Sequence, residues 1–535
     1  MSNKIFCASL EGTQTKVVEI EAAFSRGLPS FSITGLATSS IQESKQRVQS
    51  ALANCNVTLP PLKIVINLAP SDIAKSGSYF DLPIALVLRA DSRANTNKEA
   101  SMGDLDSINP IKNTPPDNNF NGWFAFGELG LDGDIKYTQS MYPLLFDIAL
   151  THKGANVIVP ESARKVLEVI PNLHLHFAKN LKDAIEILTL PLPKQTNQST
   201  NKSLDLGFES FEISGERYFY TKDFDKDFSE VKNQEIAKMA ALIAAAGFHN
   251  IIFEGSPGCG KSMIANRMRY ILPPTSLKEM MQNLKLQSLN AQEALYSPLR
   301  PFRNPHQSAS KASILGSATQ YEPKPGEIAL AHNGILFFDE LPHFKRDILE
   351  SLREPLENNK MTISRVHSKL EYDTAFLFIG AQNPCPCGNL LSQSKECRCQ
   401  DKDIVAYKNR LSEPFLDRID MFIQMNENNE NINNVTQKCL DSTQMQNLVF
   451  KAFKFAKQRG QERFNGKLNE REIEQFCILN DEAQGLLSQA TQRFTLSNRA
   501  QNKLKKVART IADLDTSEVI TKKHLLQALS YRKVW

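Results

Sequence analysis

Hydrophobic and polar positions divide the chain into three stretches of different rhythm. Residues 1–188 alternate short β-rich runs, such as TKVVEIEAAF, FSITGL, KIVINLAP, FAFGEL and ANVIVP, with helical segments. One long polar interruption, DSRANTNKEASMGDLDSINPIKNTPPDNN, reads as a solvated surface insertion. Around LPLPKQTNQSTNKS the composition turns to Pro, Gln, Asn, Ser and Thr, so 189–226 is expected to be a linker. Residues 227–426 resume a strand–helix rhythm with continuously apolar runs, NIIF, GILFF and AFLFIGA. Such runs suit parallel strands covered on both faces, so a doubly wound sheet is expected here. From 427 to 535 the pattern is almost wholly helical, with amphipathic segments at RAQNKLKKVARTIADL and KKHLLQALSYR. No internal repeat is visible.

The run NIIFEGSPGCGKS changes the picture from fold to chemistry. A strand ends at Glu254, and Gly255, Ser256, Pro257, Gly258, Cys259, Gly260, Lys261 and Ser262 follow as a phosphate loop opening a helix. Backbone N–H groups and the helix N-terminus would cradle phosphates, Lys261 would reach the β- and γ-phosphates, and Ser262 would ligate Mg²⁺. The bland alternative is a Gly-rich turn with a chance lysine. GILFFDE supplies the second half of an ATP site. Asp339 would hold Mg²⁺ and Glu340 would orient or deprotonate the attacking water, unless the two acids merely end a capped strand. AFLFIGAQN ends in Asn383, an amide placed to sense a γ-phosphate or to position the water.

Composition narrows the classes further. Among 535 residues no apolar run approaches the length of a membrane helix, and the start MSNKIFCASLEG lacks a secretion-signal layout, so the cytoplasm is expected. A net charge of +4 decides nothing about nucleic acid. Four of the nine cysteines fall together: Cys385, Cys387, Cys397 and Cys399, in the pattern C-x-C, nine residues, C-x-C. Four thiolates can close a tetrahedral zinc site; a redox pair, an iron–sulfur site and free loop thiols are the alternatives. MTISR and KLEYD read as a hairpin carrying Lys360, Arg365, His367 and Lys369, either basic for a purpose or simply solvated. Lys503, Lys505, Lys506 and Arg509 gather in a late helix, a candidate DNA-binding face although helical spacing puts only some of them on one side.

The blocks DFSEVKNQEIAKMAALIAAAGFHNIIFEGSPGCGKS, RPFRNPHQSAS, GEIALAHNGILFFDELPHF, REPLENNKMTISR, LSEPFLDRID and LSNRAQNKLKKVARTIADL together resemble magnesium-chelatase-like AAA+ ATPases, within them the ComM/YifB family. The resemblance implies an AAA+ core at 227–426, a helical lid at 427–535 and a homo-hexameric ring with ATP between subunits. It makes Arg418 the arginine finger, with Arg410 the less favoured candidate, and Arg499 the sensor arginine of the lid. It also implies a DNA motor for branch migration in recombination or natural transformation, with a metal-chelatase motor subunit as the rival reading. In related clades the hairpin points into the ring's pore. GLPSFSITGLATSSIQESKQRVQSALANC, LKIVINLAPSDIAKSGSYFDLPIAL and FGELGLDGDI are similar to the Lon-protease fold, an α+β domain at 1–188. A peptidase would need a serine activated by a lysine. KSGSYFD offers Lys75, Ser76 and Ser78, yet Tyr79 stands where the nucleophile would be.

Overall fold

The computed structural model describes residues 4–11, 14–99, 122–189, 206–290, 295–318, 323–365, 368–425 and 440–532. Residues 100–119 of the polar insertion lie outside the described residues, whereas its beginning continues the helix Asp81–Glu99.

The N-terminal region forms a seven-stranded mixed sheet. Its spatial order is Ser30–Thr34, Lys63–Ala69, Gln14–Ser25, Lys4–Glu11, Trp123–Ala125, Ala155–Pro160, Leu173–Ala178. The helices Ser39–Asn54, Asp81–Glu99 and Met141–Thr151 cover it. Its core extends into the next region, because Met281 and Leu284 of the helix Leu277–Leu289 join the same buried cluster. Lys285 adds an ion pair to Asp147 at 2.6 Å, which ties the two regions at their boundary.

The central region is built on five strands, all parallel, in the order Phe302–Arg303, Ile335–Phe338, Leu377–Gln382, Ile251–Gly255, Met421–Met425. The three inner strands are buried at nearly every position, as their unbroken apolar runs require. Gly334, at the head of the strand Ile335–Phe338, has no room for a side chain: a Cβ there would stand 2.1 Å from the Pro301 carbonyl oxygen. That oxygen also accepts the Ile335 N–H at 2.8 Å. Gly334→Ala is therefore expected to destabilise the chain by about 1–3 kcal/mol through overpacking. Chemical denaturation checks this, and an unchanged midpoint and slope would contradict the packing described.

Half of the expected linker is folded. Glu209–Ile213 and Glu216–Tyr220 form a hairpin, and the second strand pairs with Thr275–Ser276. Ser214 and Gly215 both take positive φ, 52° and 82°, the geometry of a two-residue hairpin turn. Phe211 and Tyr220 close on Phe450 with ring centroids 5.7 and 5.0 Å apart. Aromatic burial against the helix Ser442–Gln458 thus overrides the polar look of this stretch. Residues 190–205 fall outside the described residues.

The C-terminal helices Ser442–Gln458, Glu470–Phe476, Asp481–Phe494, Asn498–Leu514 and Lys522–Ser530 each start at a residue suited to cap them. Asp441 and Asn469 make full capping boxes with Gln444 and Glu472. Asn498–Leu514 buries Leu504, Val507, Ala508, Ile511 and Ala512 in the core shared with the helix Glu235–Gly247. Lys503, Lys506 and Arg509 of this helix all find partners inside the chain. Arg509 is fully buried, bonded to Asp513 and to the Ser517 and Glu518 carbonyls. Lys503 donates to the Asp417 and Ile419 carbonyls, and Lys506 to the Gly466 carbonyl. Three of the four basic residues singled out on this helix thus bond within their own chain.

Candidate nucleotide site

The strand Ile251–Gly255 hands over to the phosphate loop, and the helix Lys261–Met268 follows it. Gly258 and Gly260 take φ of 83° and 96°, left-handed conformations that glycine adopts without a side-chain clash and that let the loop curl. A Cβ on Gly255 would meet Cys259 Sγ and the Met425 carbonyl oxygen, each at 2.7 Å. Cys259 itself is buried as a small filler, its N–H donating to the Ser256 carbonyl at 3.3 Å. Lys261 Nζ folds onto the loop, donating to the carbonyls of Gly255 at 2.6 Å and Ser256 at 2.9 Å, and to Asn383 Oδ1 at 3.2 Å. Among the described residues the buried Ser256 hydroxyl has no partner. A lysine ammonium and an orphaned buried hydroxyl at the start of a helix suit a polyanion.

Ser262 Oγ donates to Asp339 Oδ2 at 2.8 Å, so the hydroxyl and carboxylate stand together as an oxygen pair fit for Mg²⁺. Glu340 comes next, solvent-exposed, with φ 51° and its N–H bonded to Asp339 Oδ1 at 3.0 Å. A left-handed non-glycine residue costs energy, and such residues cluster at active sites. Asn383 follows the neighbouring strand Leu377–Gln382. Phosphate loop, acid pair and amide therefore meet at the C-terminal edge of three adjacent strands, where ligands of such sheets collect.

The two arginines lie at the other edge. Arg418 precedes the strand Met421–Met425, and its carbonyl accepts Asn250 Nδ2 at 3.1 Å, where Asn250 precedes the phosphate-loop strand. Five residues of strand, roughly 3.3 Å each, separate that edge from the phosphate loop. Arg418 and Arg499 share one acceptor, the two oxygens of Glu357, and Arg499 also reaches Asp417 at 3.3 Å. Glu357 was not singled out by the sequence; only its place in the block REPLENNK marks it. Around this pair opens a groove of about 640 Å³ that Arg353, Lys503 and Arg532 also line. Arg410, in contrast, stays on the side of its own acid pair, bonded to the Pro342 carbonyl at 3.3 Å.

Asp420 joins this edge to the helical region. It accepts the Asn250 N–H at 2.9 Å and faces His249, whose Nε2 lies 2.7 Å from Thr510 Oγ1. Burial would raise the Asp420 carboxyl, but His249 and the ammonium groups of Lys503 and Lys506 outweigh it and bring it down to about 2.

The hairpin Lys360–Arg365 with Ser368–Asp373 is formed, and Lys360 Nζ meets Glu371 Oε1 at 2.6 Å. His367 lies outside the described residues. In the N-terminal domain the serine–lysine pairing of a peptidase is not formed. Ser78 Oγ donates to Glu128, Lys75 Nζ donates to the Pro70 carbonyl, and Tyr79 is buried against Phe80 and Phe126.

A phosphate-loop sequence and an acidic strand on a five-stranded parallel sheet, followed by a helical region, are consistent with a magnesium-chelatase-like AAA+ fold. Residues 227–433 match the family described as magnesium chelatase, subunit ChlI. Residues 20–163 match subunit ChlI of Mg-chelatase, and 440–532 the ChlI C-terminal family. The chain is 34% identical to the competence protein ComM of Haemophilus influenzae, over 99% of its own length and 97% of that protein's. It is 33% identical to the protein YifB of Escherichia coli, over 98% and 95% of the two chains. A Mycobacterium bovis protein is 29% identical over 79% of this chain and 76% of its own. The chain belongs to the ComM/YifB family of magnesium-chelatase-like proteins, a membership that points to ATPase activity with ATP and Mg²⁺. Among the described residues no helix is long and apolar enough to cross a membrane.

Proposed function

We propose that this chain is an ATP-driven DNA motor, a cytoplasmic homo-hexameric ring that migrates branched DNA during recombination or natural transformation. The observation that carries the motor is the separation of the two half-sites. Phosphate loop, Asp339, Glu340 and Asn383 occupy one edge of the sheet, and Arg418 and Arg499 the other. A chain so built completes its nucleotide site only beside a second copy.

Lys261 leaves the Gly255 and Ser256 carbonyls for the β- and γ-phosphates when ATP enters. Ser262 and Asp339 would hold Mg²⁺, which would supply positive charge to offset the phosphates. Glu340 takes the proton of the attacking water, and Asn383 fixes that water or reads the γ-phosphate. Arg418 serves as finger and Arg499 as sensor toward the adjoining subunit, both presented by Glu357. The four cysteines would hold a structural Zn²⁺. The N-terminal domain is a non-proteolytic relative of the Lon-protease fold, and its missing serine–lysine contact supports that reading.

Support for DNA comes from the relative whose printed name is competence protein ComM, which matches this chain along nearly its whole length, N-terminal domain included. A motor subunit of a metal chelatase is the second reading, favoured by the ChlI descriptions matched along the chain. ATP turnover measured with and without four-way or forked DNA separates the two. Stimulation by branched DNA, lost at high salt as phosphate contacts are screened, is expected of the DNA motor. Indifference to DNA together with stimulation by a chelatase partner would overturn it.

A further inference from the structure

Between Asn383 and Gln400 the chain forms no helix or strand, and among these residues only Pro384, Cys385 and Gly388 are buried. A loop with so little apolar burial has no core of its own to fix its course, and such segments are commonly stapled by metal or disulfide. The four sulfurs of Cys385, Cys387, Cys397 and Cys399 nevertheless lie within 4.8 Å of one another. Cys385 and Cys387 are 3.4 Å apart, and each is 3.7 Å from Cys397. A disulfide would bring a pair to about 2.05 Å. Four thiolates at about 2.3 Å from one tetrahedral Zn²⁺ stand about 3.8 Å from each other. The spacing is that of a single ion's ligand set and is too tight to surround a cluster of several irons.

The same loop is a wall of the nucleotide site. Asn383, whose amide oxygen meets Lys261, is two residues from Cys385. The turn continues through Gly388, at φ 80°, with its N–H on the Cys385 carbonyl at 3.0 Å. A Cβ on Gly388 would stand 2.6 Å from Pro257 Cδ and 3.8 Å from Asn383 Cγ. The cysteine loop therefore lies directly on the tip of the phosphate loop.

We infer that the four cysteines bind one Zn²⁺ and that this ion, by seating Gly388 against Pro257, holds Asn383 and the phosphate loop in the arrangement that hydrolyses ATP. The thiols release their protons as the ion binds, and no electron is transferred. Metal binding stands on the sulfur geometry alone; its control of turnover rests on the ATPase reading above.

The test uses the full chain purified under reducing conditions without chelators. Metal analysis should give about one zinc per chain; absence of zinc, with no uptake of added Zn²⁺, overturns the site. Stripping zinc with a strong chelator should lower ATP turnover about 10-fold or more, and added Zn²⁺ in excess Mg²⁺ should restore it. Gly388→Ala keeps every thiol, so it should retain zinc while losing turnover to a similar degree. Turnover that survives both treatments overturns the coupling. If the untreated chain hydrolyses no ATP, the ATPase reading fails by itself. Zinc content and amide exchange across residues 255–262, with and without zinc, then still decide the inference: unchanged exchange contradicts it.

Discussion

Glu340→Gln is expected to bind ATP as the native chain does and to hydrolyse it about 10²–10⁴-fold more slowly. The amide keeps the size and hydrogen-bonding reach of the carboxylate but cannot accept a proton from water. The fold should tolerate the change, because the Glu340 side chain is exposed while its backbone N–H makes the contact to Asp339. The left-handed backbone at this residue is kept by glutamine as readily as by glutamate. Nucleotide affinity and single-turnover hydrolysis, measured side by side, check the prediction. Native turnover by Glu340→Gln would remove Glu340 from the role of base.

Arg418→Ala is expected to lower turnover further, about 10³–10⁵-fold, since a cation supplied at the transferring phosphoryl group is worth that much in rate. Its own phosphate loop should still bind ATP, because the arginine lies at the opposite edge of the sheet. The substitution also frees one oxygen of Glu357 and leaves the other on Arg499, so a modest change in local stability accompanies the loss. Mixing Arg418→Ala with Lys261→Ala chains discriminates. Some interfaces in mixed assemblies then pair an intact phosphate loop with an intact arginine, and part of the activity should return. Recovery absent at every ratio would indicate that the ring needs all its sites, or that Arg418 acts elsewhere. Glu357→Gln should reproduce a milder form of the defect, through looser presentation of both arginines.

Local patterns were the legible part of this fold. The phosphate loop is a strand, a turn and a helix in sequence, and continuous apolar runs mark the inner strands, so both could be read from a dozen residues at a time. The hairpin with MTISR and KLEYD is equally local, and its ladder runs from Lys360 opposite Asp373 to Arg365 opposite Ser368. Contacts between distant segments were not legible. Glu357 lies 61 residues from one arginine and 142 from the other, so no spacing rule connects them. The strands Glu209–Ile213 and Glu216–Tyr220 were hidden by the polar composition just before them, and their stability comes from Phe450 far along the chain. Arg300 shows the same limit. It is almost fully buried and donates to the carbonyls of Pro273, Pro274 and Asn333, each at 2.8 Å, and to Glu279. Nothing in a basic residue between two prolines announces such a role. Arg509 likewise reads as surface charge until Asp513, one helical turn on, is seen to bury it.

In the proposed ring, one subunit's arginines complete its neighbour's ATP site. The most direct measurement is a structure of the assembled protein with a slowly hydrolysed ATP analogue bound. It should place Arg418 within hydrogen-bonding distance of the γ-phosphate held by the adjoining subunit's Lys261. An assembly in which Arg418 stays on Glu357 of its own chain, or faces solvent while the analogue occupies the phosphate loop, would contradict the account and turn attention to Arg410.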